Sequence, residues 1–371
     1  MKVLHVAETI KGGVGTVIDE LVEYQSNHAD EFSVACLVPE QHVDGLFVKT
    51  RESIFTFDRK KRGFKSISNL FSKMKLIIKQ EKPDVIHFHS TFAAFIGRLY
   101  ILISGKRKKI HTVYSPHAFA FLMKSSRLKR MVYTVIEYLF SFITDKIICV
   151  SNYEYDEAVK IGIKPSKLTV VHNGVKPTTP ESFKIIDINE RVNFLFVGRF
   201  DYQKGIDVLL KAIQSLSEEE KRKYFFNFVG DVVNGESDNN LISPEISSCV
   251  TMHGWLAKEK IFEQYNRADC IIVPSRWEGF AMVPLEAMAH GTPVMLSDIP
   301  PFRELIEGKN NGVMFSSDDP QSLLAAIRSL DSKTLTNFRT KAFEILLDNY
   351  TEDKMNVKTV AIYKSFRRPF Y

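Results

Sequence analysis

Short runs of β-branched and aromatic residues alternate along this chain with longer stretches in which apolar residues recur every three or four positions. Runs of the first kind predict buried strands, and stretches of the second kind predict amphipathic helices. In the first half of the chain the predicted strands are Val3–Ala7, Ser33–Val38, Val85–His89, His111–Tyr114, Lys146–Val150 and Leu168–His172. The predicted helices between them are Asp19–Gln25, Ile67–Gln80, Leu128–Phe142 and Tyr155–Ile161. This alternation predicts a parallel sheet with helices on both faces.

The pattern breaks in the middle of the chain and then restarts. Val175–Asn189 carries two prolines among turn-forming residues, which predicts a linker. The predicted strands beyond it are Asn193–Val197, Phe226–Val229, Val250–His253, Cys270–Val273, Pro293–Leu296 and Gly312–Phe315. The predicted helices are Ile206–Ser215, Lys258–Asn266, Pro284–His290, Pro320–Leu330 and Glu352–Phe366. We therefore expect two α/β domains with a ligand site in the crevice between them.

Composition adds an asymmetry of charge to this picture. The 371 residues are 44% hydrophobic and 25% charged, which is typical of a globular protein, and the formal net charge is +6. Residues 1–178 contain 27 Lys and Arg against 17 Asp and Glu, a net of +10, whereas the remainder contains 23 against 27, a net of −4. A basic first half indicates an anionic partner such as a membrane surface, a lipid pyrophosphate or nucleic acid, and a solvated basic surface is the alternative.

Neither a targeting segment nor a cysteine framework is indicated. Met1–Ala7 leads straight into a glycine-rich loop and predicts a first strand. Met131–Val150 is the most apolar long run, but Glu137, Asp145 and Lys146 make it too polar to span a bilayer, so we expect a soluble or peripheral protein. The four cysteines lie in or beside apolar runs without any CxxC spacing, which predicts buried thiols in a reducing compartment and argues against zinc: Cys36, Cys149, Cys249 and Cys270.

The richest chemistry lies in Ser275–Val294, "SRWEGFAMVPLEAMAHGTPV". Glu278 falls in a loop, and Glu286 falls eight positions later inside the predicted helix. Gly279 allows backbone N–H groups to approach a ligand, and a helix start favours an anion. Two carboxylates beside such N–H groups suit a nucleotide-sugar, which carries a pyrophosphate and many hydroxyls. The alternatives are a solvated loop carboxylate for Glu278 and an acid complementing the helix dipole for Glu286.

Arg199 and Lys204 follow the first strand of the second domain, in a loop that ends at Gly205. Arg offers a planar fork for two phosphate oxygens and Lys a point charge, so the pair suits a pyrophosphate. Surface charge beside the next helix is the alternative. The chain contains no Asp-x-Asp pair, which favours these cations over a divalent metal as the stabilisers of a leaving diphosphate.

Two further features lie in the first half. The loop Lys11–Gly15 follows the first strand, and its glycines, Gly13 and Gly15, permit positive φ and close approach to phosphate, although a plain tight turn is the alternative. Its spacing is wrong for a GxGxxG dinucleotide fingerprint. His117 ends a strand, where doubly wound sheets bind ligands. His87 and His89 alternate along another strand, for which packing is the simpler interpretation.

The chain resembles a known family in an ordered set of motifs. The segment "EGF…LE…A…G.PV" is preceded by "KGGVG", "DVIHFHS", "SPH", "HNGV" and "VGRFDYQKG", which together span almost the whole chain. This set resembles glycosyltransferase family four, whose members are retaining enzymes of the GT-B architecture with two Rossmann-like domains facing a central cleft. The resemblance implies an acceptor-binding domain at 1–178, a donor-binding domain at 190–350 and a C-terminal helix, 351–371, that crosses back to the first domain.

The resemblance also implies roles for individual residues. Arg199 and Lys204 would hold the donor pyrophosphate and stabilise the departing nucleotide, and Glu286 would bind the ribose hydroxyls. Glu278 and His117 would contact the donor sugar. The remaining donor contacts would come from Gly13, Gly15 and the backbone of Gly279, Phe280, Ala281 and Met282.

The resulting prediction is a metal-independent, retaining hexosyltransferase without a cofactor, with a UDP-sugar as the expected donor. The mixture of basic and aromatic residues in Phe92–Tyr138 suits a membrane surface or a polyprenyl acceptor, and a core helix with a basic outer face is the alternative. We therefore expect a lipid-linked or polysaccharide acceptor at the cytoplasmic face of the cell membrane, and no nucleic-acid partner. The competing interpretations are a nucleotide-sugar epimerase, an NAD-dependent dehydrogenase and a non-catalytic nucleotide-sugar binder.

Overall fold

The computed structural model describes residues 1–10, 12–45, 54–59, 63–178, 191–232, 242–306 and 308–366. By their contacts the residues form two compact units, Met1–Asn173 with Glu352–Tyr371, and Gly174–Thr351. The divisions fall near the boundaries expected at 178 and 351. The predicted linker Val175–Asn189 lies mostly outside the described residues. Its first residue, Val175, donates its backbone N–H to the carbonyl of Tyr350 at 3.0 Å, within the second unit.

The first unit is built on a seven-stranded parallel sheet with the order β3-β2-β1-β4-β5-β6-β7. Its strands are β1 Lys2–Ala7, β2 Ser33–Pro39, β3 Ile54–Phe57, β4 Val85–His89, β5 His111–Ser115, β6 Lys146–Cys149 and β7 Leu168–Val170. Its helices are α1 Gly13–Asn27, α2 Phe64–Glu81, α3 Thr91–Ile103, α4 Arg127–Ser141, α5 Asn152–Lys160 and α13 Glu352–Lys364. The last helix, α13, contacts α1 and buries apolar side chains in this unit.

The second unit contains a six-stranded parallel sheet with the order β10-β9-β8-β11-β12-β13. Its strands are β8 Val192–Val197, β9 Tyr224–Val229, β10 Val250–Met252, β11 Cys270–Val273, β12 Val294–Ser297 and β13 Gly312–Phe315. Its helices are α6 Ile206–Gln214, α7 Glu218–Lys223, α8 Lys258–Arg267, α9 Met282–Ala289, α10 Pro300–Ile306, α11 Pro320–Arg328 and α12 Ser332–Asn349. Stacked phenylalanines, including Phe194 and Phe226 with ring centroids 5.2 Å apart, fill the core of this unit.

Each sheet has a point at which the strand order reverses. In the first unit this point lies between β1 and β4, and in the second it lies between β8 and β11. In open parallel sheets ligands bind beyond the carboxyl ends of the strands at such a point. The loops that follow these four strands are therefore the places where each unit is expected to carry its chemistry.

The two predicted parallel α/β units are confirmed, and so is the burial of the four cysteines. The pattern missed β3, α3, α7, α10 and α12, and it started α1 six residues too late, at Asp19 instead of Gly13. Helix α9 begins at Met282, two residues before the predicted start, and Gly291, at φ 66°, follows its end. Among the described helices, none is long and apolar enough to cross a bilayer.

Candidate active site

In the second unit, Lys204 and Glu278 meet at the point where the strand order reverses. The Lys204 Nζ lies 2.6 Å from the Glu278 Oε1, and the same oxygen accepts a hydrogen bond from the Ser275 hydroxyl at 2.8 Å. The Glu278 side chain is only 9% exposed, so the interpretation of a solvated loop carboxylate is wrong. Gly205 makes the contact possible, because a Cβ at this residue would lie 2.0 Å from the carbonyl oxygen of Pro274.

Arg276 holds the loop that carries Glu278. Its guanidinium makes paired 2.8 Å hydrogen bonds to Asp207 and bonds Asp318 at 2.6 Å. It also donates to the Tyr202 carbonyl and lies 3.9 Å from the centre of the Tyr202 ring. These bonds lower the pKa of the Asp207 carboxyl and raise that of the Arg276 guanidinium, which therefore stays charged. Bidentate geometry of this kind fixes a loop, and Arg276 was not among the predicted site residues.

Arg199 lies in the same loop as Lys204 but is more exposed, with 44% of its side chain accessible. It donates to the Gln203 side-chain oxygen at 3.0 Å and pairs with Asp201 at 3.1 Å. Gln203 in turn donates to the carbonyl of Trp277, the residue before Glu278. The loop of Arg199 and the loop of Glu278 are thus tied together, while Arg199 keeps a solvent-facing guanidinium.

Glu286 is the fifth residue of α9, and no acidic residue occupies the first turn of that helix. The interpretation as a dipole-complementing acid in the first turn is therefore wrong. Burial raises the pKa of the Glu286 carboxyl, and the hydrogen bond from the Tyr265 hydroxyl at 2.7 Å and the charges of Lys258 and Lys204 oppose the rise. Lys204 thus acts electrostatically on both predicted carboxylates.

The start of α9 supplies backbone donors next to these side chains. The Ala281 residue that precedes α9 makes no side-chain cap, and Phe280, Ala281 and Met282 are buried. The Phe280 ring packs against Tyr350 at 5.4 Å. The start of α9 thus has no side-chain cap at Ala281, and a helix start is a site favourable for anions.

In the first unit, the glycine-rich loop after β1 opens α1. Gly12 takes the left-handed conformation, at φ 75°, whereas Gly13 and Gly15 belong to the helix. A Cβ on Gly15 would lie 2.3 Å from the Ile10 carbonyl oxygen, so packing alone requires glycine there. The positive φ that glycine permits is used in this loop at Gly12. Lys11 lies outside the described residues.

His117 follows β5 in a strained backbone. His117 has φ 54° and the next residue, Ala118, has φ 121°, while Ser90, after the neighbouring β4, has φ 76°. Such conformations in residues other than glycine cost roughly 1–3 kcal/mol each and cluster at functional sites. Burial lowers the pKa of the His117 imidazole to about 4, so the ring is neutral near pH 7.

The His117 ring belongs to a cluster of four imidazoles. His117 Nε2 lies 3.0 Å from His89 Nδ1, and His89 Nε2 lies 3.0 Å from His5 Nδ1. His87 joins the cluster through ring contacts and bonds Tyr363 and Ser115 at 2.6 and 2.7 Å. His87 and His89 are both buried, as the packing interpretation predicted.

By distance alone, this cluster also resembles a metal site. The ring nitrogens of His5, His87 and His89 lie within 4.8 Å of one another. All six of these nitrogens, however, already have hydrogen-bond partners, and a metal would displace several of them. The arrangement is therefore better described as a hydrogen-bonded network.

Comparison with known proteins identifies the family to which this chain belongs. Residues 11–179 match the model described as Glycosyltransferase Family 4, and residues 178–344 match Glycosyl transferases group 1. An uncharacterized 41.2 kDa protein in the cps region of Klebsiella pneumoniae is 34% identical, with 99% of this chain and 100% of that protein covered. The chain is a glycosyltransferase of the GT-B type.

Two further comparisons describe the range of this glycosyltransferase's relatives. The UDP-Gal:alpha-D-GlcNAc-diphosphoundecaprenol alpha-1,3-galactosyltransferase of Escherichia coli is 28% identical, over 73% of this chain and 72% of that enzyme. The solved structure of sucrose-phosphate synthase from Thermosynechococcus elongatus superposes with a TM-score of 0.81 at 16% identity, covering 98% of this chain and 99% of that one. At 16% identity the similarity to sucrose-phosphate synthase is evidence for the fold alone. The predicted architecture is confirmed.

The glycosyltransferase also contains site residues that the sequence interpretation missed. Some had a visible signal: His5 is a polar residue inside an apolar strand, and Ser275 begins the glutamate-containing motif. Gln25 and Tyr363 had none, because a polar position on an amphipathic helix is ordinary. Gln25 is fully buried and bonds His5, and Tyr363 is fully buried and bonds His87.

Proposed function

We propose that this glycosyltransferase transfers a hexosyl residue from a UDP-sugar to a hydroxyl of a polyprenyl-diphosphate-linked saccharide or polysaccharide, with retention of anomeric configuration. The observation that carries the proposal is the Lys204–Glu278 contact, with Arg199 beside it, beyond the carboxyl ends of β8 and β11. Two cations, a helix start without a side-chain cap and two carboxylates together match the charge and hydroxyls of a nucleotide-sugar. The Escherichia coli relative, named for a UDP-sugar donor and a diphosphoundecaprenol acceptor, supports the choice of substrates.

In this proposal Lys204 and Arg199 act on the leaving group. Negative charge develops on the diphosphate as the glycosidic bond breaks, and a cation already held in place stabilises it without reorganisation. Glu278 holds Lys204 before the donor arrives, and Ser275 fixes the orientation of Glu278. Glu286, bonded by Tyr265, is assigned to the ribose hydroxyls, and His117 to a hydroxyl of the donor sugar.

The same contacts favour same-face attack guided by the leaving phosphate over a covalent intermediate. Glu278 is the one candidate nucleophile among the predicted site residues. Its Oε1 is engaged by both the Lys204 ammonium and the Ser275 hydroxyl, which reduces its nucleophilicity. Glu278 therefore suits electrostatic stabilisation of an oxocarbenium-like transition state better than bond formation.

A membrane-facing acceptor is supported by α4. Its fully buried positions, Glu137 and Ser141, are polar. Tyr133, Ile136 and Phe140 are half-buried. Six other apolar side chains of α4 and its C-cap are exposed on one face, with exposures of 45–68%: Leu128, Met131, Val132, Val135, Leu139 and Phe142. We call these six residues the α4 apolar face. A helix that turns its apolar face to solvent has the pattern of an interfacial helix.

Basic residues surround the start of this helix. Lys124, Arg127, Lys129 and Arg130 are exposed, and no acidic residue lies in the first turn of α4. Cations at a helix N-terminus oppose the helix dipole, so local helix stability does not explain them. Charge complementarity to anionic headgroups does, and we assign the α4 apolar face to an anionic bilayer at the cytoplasmic side of the cell membrane.

Donor-site variants test the catalytic assignment. We expect Arg199→Ala and Lys204→Ala each to lower kcat by up to ~10²-fold, because the charge matters most as the diphosphate leaves. The measurement is UDP release from UDP-galactose and UDP-glucose with an undecaprenyl-diphosphate-linked GlcNAc acceptor. Lys223→Ala is the matched control, since Lys223 forms a 2.8 Å pair with Glu219 on an exposed helix of the same unit. Turnover near wild type in both donor-site variants would contradict the pyrophosphate assignment, and donor conversion without acceptor would favour an epimerase.

Metal independence is a separate expectation. The chain has no Asp-x-Asp pair, and Arg199 and Lys204 offer positive charge to the diphosphate without a metal. We expect activity to persist in excess EDTA with no added cation. Complete loss with EDTA, followed by recovery with magnesium or manganese, would show that a metal performs the role assigned here to Arg199 and Lys204.

A further inference from the structure

Two imidazoles, those of His5 and His89, connect the candidate residue His117 to a buried glutamine. From the glutamine outward, Gln25 Oε1 lies 3.2 Å from His5 Nε2, His5 Nδ1 lies 3.0 Å from His89 Nε2, and His89 Nδ1 lies 3.0 Å from His117 Nε2. His5 belongs to β1, and His89 ends the adjacent β4, at the point where the strand order reverses. We call Gln25, His5, His89 and His117 the histidine chain.

A neutral imidazole carries one N–H and one lone pair, so each hydrogen bond in the chain determines the next. An amide oxygen only accepts, so His5 donates from Nε2 and accepts at Nδ1. His89 must then donate from Nε2 and accept at Nδ1. By the same step His117 donates from Nε2, which leaves its Nδ1 as a lone pair.

We propose that Gln25, acting through His5 and His89, fixes the tautomer of His117 so that Nδ1 accepts a hydrogen bond from a hydroxyl of the donor sugar. Gln25, His5 and His89 are thus positioning residues. The inference deepens the proposed function and rests on it for the identity of the ligand. Among the described residues, no group hydrogen-bonds to His117 Nδ1, so this atom remains available.

Burial keeps the chain neutral, which the argument requires. It lowers the pKa of His5 and of His117 to about 4, and the pKa of His89 well below its usual value. A protonated ring would donate from both nitrogens and break the sequence of donors and acceptors. The positive φ of His117 and Ala118 holds the outer ring over His89, with the two ring planes 14° apart.

A reversed Gln25 amide is the alternative that the tautomer of His117 distinguishes. Gln25 Nε2 is buried without a hydrogen-bond partner, whereas Oε1 lies 3.2 Å from His5 Nε2. With the amide reversed, its nitrogen would donate to His5 Nε2, His5 and His89 would donate from Nδ1, and His117 would carry its proton on Nδ1. The two orientations therefore predict opposite tautomers of His117.

The deciding experiment is nitrogen-detected NMR of the ligand-free enzyme with ¹⁵N-labelled histidine. The His117 signals are assigned by their loss in His117→Ala. We expect a protonated Nε2 and an unprotonated Nδ1 for His117 in the wild type, and a mixture of tautomers in Gln25→Met, which removes the acceptor at similar volume. Ser26→Ala, on the same helix, should leave the spectrum unchanged. A protonated Nδ1 in the wild type would overturn the inference, and this readout is taken on the wild-type enzyme, with His117→Ala used for assignment alone.

Kinetics test whether the tautomer matters. With UDP-sugar and acceptor, we expect Gln25→Met to lower kcat/KM about tenfold, the effect of one hydrogen bond, and to have no effect in the His117→Ala background. An equal loss in both backgrounds would mean that Gln25 is merely structural, and it would also overturn the inference. Failure to bind any nucleotide-sugar would overturn the proposed function instead, and the tautomers observed in the ligand-free enzyme would stand.

Discussion

At the scale of single residues, His5 makes stability depend on pH. Burial lowers its pKa from 6.5 to about 4 in the folded protein. The unfolded chain therefore binds a proton first as pH falls, so the stability is fully present above pH 6.5 and is lost between pH 6.5 and about 4. The expected loss from this one group is on the order of 3 kcal/mol.

Urea unfolding at pH 7.5, 6.0 and 5.0 measures this effect. The free energy of unfolding should fall with pH in the wild type and fall less steeply in His5→Gln, which removes the titrating ring. Acidic side chains contribute alike to both proteins, so the difference in slope isolates His5. Parallel slopes would mean that His5 does not titrate differently in the folded and unfolded states.

The charged residues of the candidate site could be predicted from the sequence, but the contacts that hold them in place could not. Glu278, Arg199 and Lys204 could be chosen because ionisable groups in glycine-containing loops at strand ends are conspicuous, and Glu286 because it lies in the helix that follows such a loop. The contact between Lys204 and Glu278 could not be predicted, since it spans 74 positions and depends on how closely Gly205 approaches Pro274. The pairing of His87 with Tyr363 spans 276 positions and was equally invisible.

At the scale of elements, a buried ion pair anchors α4. Arg98 on α3 and Glu137 on α4 are fully buried and 3.2 Å apart, and Tyr114 of β5 donates to Glu137 at 2.7 Å. Arg98 also donates to Thr144 at 3.3 Å and lies 4.4 Å from the centre of the Tyr114 ring. The polar network, rather than the apolar face of α4, fastens this helix to the unit.

Arg98→Met should therefore destabilise the protein by about 3–5 kcal/mol, because it leaves the Glu137 charge buried without its partner. Arg98→Met with Glu137→Gln should be less damaging, since the amide oxygen still accepts from Tyr114 without a charge. Thermal and urea unfolding compare the two. Lys160→Met, which breaks an exposed pair with Glu157, is the control and should change little. A double variant as unstable as the single one would assign the cost to lost packing.

Three of the missed elements share a physical cause, which is the lack of a readable hydrophobic period. Helix α3, "TFAAFIGRLYILI", is apolar on nearly every side because it is buried between other elements, so it shows no amphipathic period. Strand β3 has only four residues, and α7 has six, too few for a period to be read. The remaining strands were predictable because parallel strands buried on both faces are continuous apolar runs.

At the scale of the whole molecule, the first unit is formed by two segments that are far apart in the sequence. Helix α13 is separated from the rest of that unit by residues 174–351, yet Met355, Val360 and Tyr363 are buried within it. Tyr363 also completes the hydrogen bonds of His87. The periodicity of the last segment predicted a helix but carried no information on which unit it joins, and only the resemblance to the family implied its return.

The whole molecule also carries its charge unevenly, and the α4 apolar face lies in the basic half. We expect binding to anionic vesicles at low salt, because each basic group near an anionic surface contributes about 1 kcal/mol and this attraction fades within a Debye length. Sedimentation with phosphatidylglycerol and phosphatidylcholine vesicles, at low and high salt, measures it.

Two variants separate the charge from the apolar face. Arg127→Glu with Arg130→Glu should abolish binding to phosphatidylglycerol vesicles. Leu128→Ser with Val135→Ser should weaken that binding at every salt concentration, because the contribution that is lost is the burial of apolar side chains. Both pairs are exposed, so folding should be unaffected. Lys341→Glu, exposed in the other unit, is the control for net charge. Binding that is absent at low salt, or equal on neutral and anionic vesicles, would leave α4 without a lipid partner and favour an acceptor that is free in solution.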